Sequence, residues 1–576
     1  MRLERSLEEL ARRAIAEALG VAAPGMLRPA TNAGHGDYQV NGVMPLAKEQ
    51  RKPPRELAGP VAERLRAASM LESAEVAGPG FINLRLRPSW VAEQLHAMAR
   101  DTEREGVPAA DQPLRVVVDF SGPNIAKQMH VGHLRSTIIG EAVCRLLRFV
   151  GHDVIGDNHL GDWGTQFGLL IMGIRNYGSE QALDASPIDE LERVYRLASA
   201  ASKEDAVFAE GARAELAKLQ RGDPDNRALW QRFISATRVE LDKIYARLDI
   251  HFDHWLGESA YEEMLPGVVE DLKRRGLARE DQGAMCVFFD SPDDAPELSK
   301  SPFIVQKKDG AYLYATTDIA TVVYRRDHFQ AERALYFVDP RQSLHFKQLF
   351  ALVKKLGVRM QLEHISFGSV LGKDGKPLKT RDGQVIRLSD LLDEAENRAA
   401  ARMREEGLGL SDEQVQQLAP IVGIGAVKYA DLMQNRLSDY QFDWDKMISF
   451  KGNAGPYLQY AHARIQAIFR KGEVDPATLI GSTTISLAHD AELALGKQLL
   501  RFADVVHQAA ELSSPHLLCD HLYALARQFS VFYEACPVLR ADDPAQRSGR
   551  LVLSWLVARQ LRTGLRLLGI QVPERM

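Results

Sequence analysis

Two periods of apolar residues alternate along the middle of this chain. Arg115 to Phe120 (RVVVDF) is a short β-branched run suited to a buried parallel strand. Apolar positions then return at Leu134, Ile138, Ala142, Leu146 and Val150 with helical spacing, until Gly151 stops them. The alternation continues through HDVIGDNHL (152–160) and a helix from Asp162. A charged helical insertion at roughly 187–248 and a hairpin-like segment around 283–294 interrupt it. It resumes with AYLYATTDIATVVYRRD (311–327), the strand RALYFVD (333–339), a helix from Ser343 and the strand HISFGSVLG (364–372). This order predicts a parallel sheet covered on both faces. An open sheet of that kind binds ligand at the carboxyl ends of its strands.

The flanks have a different character. Residues 1–112 combine an amphipathic starting helix, a glycine-rich turn HGDYQVNG (35–42), a helix from Pro53 and a strand GFINLRL (80–86), and the Pro and Asp residues of VPAADQP (107–113) mark a linker. From 389 to 576 amphipathic patterns run almost without strand candidates. The expected fold is therefore multidomain α/β: an N-terminal α+β domain (1–112), a Rossmann-like parallel-sheet core with insertions (113–388) and an all-helical C-terminal domain (389–576).

Composition narrows the class. The 576 residues imply about three or four domains. With 45% hydrophobic and 26% charged residues the chain reads as globular, and no window approaches a membrane span. The first twenty residues are a charged helix unlike a signal peptide, so the cytoplasm is the expected location. Cys144, Cys286, Cys519 and Cys536 show no paired spacing, so neither a zinc site nor a disulfide framework is expected. A net charge of -5 gives no bulk attraction to nucleic acid, so RNA would have to meet local patches. One candidate is the C-terminal stretch from Gln546, where Arg559, Arg562 and Arg566 share a helical face; a solvated face is the plain alternative.

Candidate chemistry gathers at strand ends. DFSGPNIAKQMHVGH (119–133) joins a strand to a helix, placing His130 and His133 where free backbone donors and the helix dipole favour phosphate, with Gly132 allowing close approach. Taken alone, His-x-Gly-His also suits capping or core histidines. LGKDGKPLKTRDG (371–383) presents Lys373, Lys376, Lys379 and Arg381 on glycine turns, which on composition alone reads as an exposed basic hairpin.

The text PNIAKQMHVGHLRSTIIG (123–140), followed by NHLGDWGTQFG (158–168), closely resembles the HIGH-motif region of class I aminoacyl-tRNA synthetases, specifically the arginyl-tRNA synthetase family. KPLKT (376–380) resembles a degenerate KMSKS loop, with Pro377, Leu378 and Thr380 in place of the usual residues. GDYQVNG and GPGFINLRL resemble the family's N-terminal additional domain, which contacts the tRNA elbow. MISFKGNAGPYLQYAHARI (447–465) and LYALARQFSVFYEACPVL (522–539) resemble its anticodon-binding domain.

This resemblance implies ATP-dependent ligation of L-arginine to tRNA-Arg through an arginyl-adenylate, releasing AMP and pyrophosphate. Another class I synthetase and a catalytically silent tRNA-binding paralogue are the alternatives. No protein nucleophile is needed; alignment and charge neutralisation suffice. The resemblance implies His130 and His133 at the α-phosphate and Lys376 and Lys379 at the departing pyrophosphate, with Lys127 sharing that task. A guanidinium calls for a fork of acceptors. By resemblance Asp119, Tyr314, Asp318 and Gln342 serve arginine, and Asn124 holds its backbone groups. Read from sequence alone, Asp318 ahead of IATVVYRR is as well a helix cap. Gly132, His159, Gly161 and Asp162 would line the ATP site, although a structural turn suits Asp162 equally. Tyr457, Tyr460, His462 and Arg464, with the three C-terminal arginines, are the tRNA candidates; Phe529 and Phe532 read as core. The implied partners are tRNA-Arg, L-arginine and ATP with Mg²⁺, in a monomer that carries no zinc and touches no membrane. Activation of arginine is expected to need bound tRNA.

Overall fold

The computed structural model describes residues 1–30, 32–379, 385–480, 483–541 and 543–576, which form two compact units. One unit comprises Asp111–Glu405 and Val422–Ile448; the other comprises Met1–Ala110, Glu406–Ile421 and Ser449–Met576. The helix Leu388–Glu405, where the sequence suggests that a helical domain begins, groups with the first unit.

Four parallel strands form the centre of the first unit, in the order Gln361–His364, Arg333–Tyr336, Arg115–Asp119, Asp153–Asp157. Val116, Val117 and Val118 are fully buried, as expected of a strand covered on both faces. The following helix, Val131–Phe149, buries Leu134, Ile138, Ile139, Ala142, Leu146 and Leu147. A side chain on its Gly140 would run into the Phe120 ring, so this glycine lets helix and strand end pack closely.

Three elements differ from their sequence patterns. The helix expected from Asp162 begins at Gln166. The hairpin-like insertion is a three-stranded antiparallel sheet, Ala278–Asp281, Ala284–Val287 and Phe303–Gln306. The fourth sheet strand is Gln361–His364 and not HISFGSVLG, because the chain leaves the sheet after Ile365 donates to Tyr336 O. It turns instead toward residues 436–441: Gly368 N–H donates to Arg436 O, and Val370 and Leu371 pair with Tyr440 and Gln441. Gly368 lies against the main chain of Ser438 with no room for a side chain.

Helices Glu180–Ala185, Pro187–Glu204, Ala206–Gln220 and Pro224–Leu248 make up the charged insertion. In the second unit, an antiparallel sheet in the order Leu27–Pro29, Tyr38–Val40, Phe81–Leu86, Leu71–Ala77 groups with the C-terminal helices. Its strand Phe81–Leu86 buries Ile82, Leu84 and Leu86, one face of a period-two pattern. All four cysteines are buried, and none is joined in a disulfide among the described residues. No helix among the described residues is long and apolar enough to cross a membrane.

Candidate active site

The carboxyl ends of the parallel strands form one rung: His364, Tyr336, Asp119 and Asp157 occupy matching positions across the sheet. Beyond Asp119 the chain enters a tightly held loop. Ser121 and Ala126 take positive φ, 73° and 63°, which costs an L side chain about 1 kcal/mol each. Surrounding donors and acceptors hold them there. Ser121 N–H donates to Ser136 Oγ at 3.0 Å, Ala126 N–H to Thr237 Oγ1 at 3.0 Å, and Gln128 N–H to Glu192 Oε1 at 2.7 Å.

His130 is the N-cap of the Val131–Phe149 helix. Its Nδ1 accepts the Gly132 N–H at 3.1 Å, and the His130 N–H donates to His133 Nδ1 at 3.1 Å. Each ring thereby uses Nδ1 as an acceptor and carries its proton on Nε2, as a donor beside the helix N-terminus. Burial lowers both pKa values, assisted at His130 by Lys127 and at His133, which falls to about 3, by His130. Both imidazoles are thus neutral near pH 7 and remain N–H donors. A Cβ on Gly132 would stand 2.8 Å from the His130 ring, so the residue between the histidines needs to be small.

The chain that follows the lysine segment returns to this helix start. Gly372 N–H donates to Lys376 O, and Gly375, at φ 72°, closes a tight turn that leaves Lys376 and Lys379 exposed. Downstream, Val131 N–H donates to Ile386 O and Leu388 N–H to Met129 O, an antiparallel pairing through His130 and Arg387. Thr380 and Arg381 lie outside the described residues. Lys127 is exposed, with its Nζ 5.6 Å from the centre of the Tyr195 ring.

Asn124 and Gly161 also come together: Ile125 N–H donates to Gly161 O and Gly161 N–H to Pro123 O, each at 3.2 Å. Tyr314 opens the helix Tyr314–Asp327 and is 61% exposed. Asp318 sits in the second turn, with Oδ2 accepting from His345 Nε2 at 2.5 Å. Gln342 is exposed at the N-terminus of the Ser343–Lys355 helix. His159 lies with its ring 5.8 Å from that of Tyr261.

In the other unit, the helices Gly455–Gly472 and His516–Ala535 bring aromatics beside cations. Arg464 lies over the Tyr460 ring, Arg527 over the Tyr523 ring, and Tyr457 meets Tyr523 edge-on at 5.9 Å. Stacked aromatics with guanidinium groups suit splayed single-stranded bases.

Residues 95–444 match the family model of the class I tRNA synthetase (R) catalytic domain. The chain belongs to the arginyl-tRNA synthetase family. Residues 5–86 of this synthetase match the arginyl tRNA synthetase N-terminal domain and residues 458–576 the DALR anticodon binding domain. It is 46% identical to an arginine-tRNA ligase of Proteus mirabilis, over 96% of each chain. The arginyl-tRNA synthetase of Thermus thermophilus superposes with a TM-score of 0.83 at 28% identity, covering 100% of both chains. That of Plasmodium falciparum gives 0.85 at 28% identity, covering 100% of this chain and 99% of the other.

Burial corrects three expected site residues of the synthetase. Asp162 is 6% exposed, and both its oxygens are taken by Ser259, from N–H at 2.8 Å and Oγ at 2.6 Å, so it shapes a turn and does not face ATP. His462 is fully buried with Nδ1 against Pro573 O, and Arg559 is 4% exposed beside Glu105 and donates to Asp101 O; neither is open to RNA. The cap alternative for Asp318 also falls, because the N-cap position is Leu313. Arg562 and Arg566 remain at the surface, and Phe529 and Phe532 are core.

Three residues near the site escape a sequence reading. Arg325, fully buried, donates from Nη2 to Asp119 and to Asp157, at 2.7 Å each. His345 holds Asp318, though its place in DPRQSLHF gives no sign of it. Burial lifts the pKa of Glu258 to about 7, with His159, Asp318 and Asp162 coupled to it. Only the Gly-Glu-Ser turn, reading against Asp162, could have drawn attention to Glu258.

Proposed function

We propose that this synthetase activates arginine and charges tRNA-Arg with the residues gathered at the carboxyl ends of its sheet. An arginine carboxylate oxygen attacks the α-phosphorus of ATP, the bond to the β-phosphate bridge breaks, and arginyl-adenylate and pyrophosphate result. A terminal ribose hydroxyl of tRNA-Arg then attacks the arginyl carbonyl, and AMP leaves. His130 and His133 donate from Nε2 to oxygens of the α-phosphate, while Lys376, Lys379 and Lys127 follow the pyrophosphate. Asp318, Asp119, Tyr314 and Gln342 receive the arginine, and Asn124 its backbone groups. The observation that carries this reading is the pairing of residues 386–388 with 129–131, which ties the base of the lysine loop to the histidine cap.

Mg²⁺ enters with ATP on phosphate oxygens and water. Among the described residues no group of three His, Cys, Asp or Glu side chains is arranged for a metal ion. RNA bases stack on Tyr457, Tyr460 and Arg464, with Arg562 and Arg566 at its phosphates. The enzyme works as a cytoplasmic monomer, and its activation of arginine needs bound tRNA.

ATP-pyrophosphate exchange, measured with each amino acid in turn and with or without tRNA, tests the reading. Exchange with arginine alone, and only with tRNA present, is expected. Exchange with a different amino acid overturns the assignment, and exchange with arginine lacking tRNA overturns the tRNA dependence.

A further inference from the structure

Arg325 is the buried charge at the site for which the reaction above has no use. Its Nη2 bridges Asp119 and Asp157, the paired residues at the ends of adjacent strands, and its guanidinium carbon lies 5.2 Å from the ring centre of Tyr336, the third member of that rung. One guanidinium thus closes three strands at the level where substrate is received. It does so without reaching an optimum for stability: Nε and Nη1 have no hydrogen-bond partner among the described residues, and two carboxylates face one cation. A half-satisfied buried network is poor evidence of a purely stabilising role.

The helix that carries it makes the connection to substrate. Tyr314, Asp318, Thr321 and Arg325 follow at spacings of four, three and four, which puts them on one stripe of the helix Tyr314–Asp327. Along that stripe exposure falls from 61% at Tyr314 to 2% at Thr321 and nothing at Arg325. The deep end is pinned to the sheet by two ion pairs, and the shallow end presents Asp318.

We propose that Arg325 is a positioning residue for arginine recognition, setting Asp318 at a defined distance from Asp119 and leaving the rung with one net negative charge for the incoming guanidinium. Arg325 occupies Asp119 Oδ2, so a substrate donor meets Oδ1. Asp157, too deep to touch substrate, contributes the uncompensated charge. This inference rests on the reading that Asp119 and Asp318 receive arginine.

The test is arginine-dependent ATP-pyrophosphate exchange by the full chain with tRNA, for Arg325→Met, Arg325→Lys, Asp157→Asn and Asp318→Ala. Arg325→Met is expected to raise KM for arginine about tenfold or more, the scale of one charge-assisted hydrogen bond, while KM for ATP stays within about twofold. Arg325→Lys, which keeps a cation between the carboxylates, recovers most of the loss. Parallel rises in both KM values, or no change in either, would overturn the proposal, since a general packing role affects both substrates. Should Arg325→Met fail to fold, Asp157→Asn decides: a rise for arginine alone supports the inference, and a parallel change or none removes it. If Asp318→Ala raises KM for arginine and the Arg325 and Asp157 variants do not, only this inference falls. If Asp318→Ala has no effect, the reading beneath it falls as well.

Discussion

His130 and His133 are joined through a single turn of helix, the main-chain N–H of the first donating to Nδ1 of the second at 3.1 Å. His130 Nδ1 in turn accepts the Gly132 N–H. Capping uses Nδ1 of the His130 ring and the proposed phosphate contact uses Nε2, so substitution separates them. Asn at 130 offers an oxygen near the Nδ1 position without an Nε2 donor. His130→Asn should keep its thermal stability, whereas His130→Ala loses about 1 kcal/mol. Both should lose exchange activity by about 100-fold to 1000-fold. Wild-type exchange in the Asn variant would make the histidine a cap alone.

Glu258 should give the enzyme a pH dependence of predictable sign. Its pKa, raised by burial to about 7, leaves it largely neutral below that pH and ionised above it. A cation bound nearby favours the ionised form. The kcat/KM for arginine should therefore rise as pH increases from 6 to 8, on the order of the tenfold that one unit of pH spans for a single proton. Glu258→Gln should flatten that rise while the dependence on ATP is unchanged. His133 does not produce it, since burial lowers its pKa to about 3, and burial shifts His130 downward as well, away from this rise.

Gly161 abuts Asn124, the proposed holder of the backbone groups of arginine. A side chain there would collide with Asn124 Oδ1. Gly161→Ala should displace the Asn124 side chain, with a rise in KM for arginine of about tenfold and little loss of stability, because the atom it meets is the end of an exposed side chain. Steady-state kinetics combined with thermal unfolding separates the two effects. An unchanged KM would take Asn124 out of the arginine site.

Arg135, two residues beyond His133, carries a stability prediction. It is 2% exposed and pairs with Asp431, which is fully buried and also accepts from Tyr440 OH at 3.0 Å. Arg135→Met strands that carboxylate and should cost about 3–5 kcal/mol, read by urea unfolding. In Arg135→Met/Asp431→Leu much of the loss should return, because the buried charge is gone as well.

Several features of this chain were determined by local sequence. The valine run 116–118, the apolar spacing from Leu134 and the alternation at 81–86 each follow from side-chain period, which needs no distant partner to take effect. The histidine pair at a strand-to-helix turn is legible for the same reason, since its capping bonds span three residues. Other features depended on groups that only folding brings near. The strand at 364–372 lost its place in the sheet to pairing with residue 440, some seventy positions away. Arg325 looked like one of two arginines ending a helix, yet it closes the sheet through carboxylates at 119 and 157. His462 and Arg559 carry the residue types of an RNA contact, and burial withdraws them from the surface. A side chain's chemistry and its helical or strand period are written in its neighbours along the chain. Its exposure and its charge partner are set by elements hundreds of residues apart, and those only the tertiary structure decided.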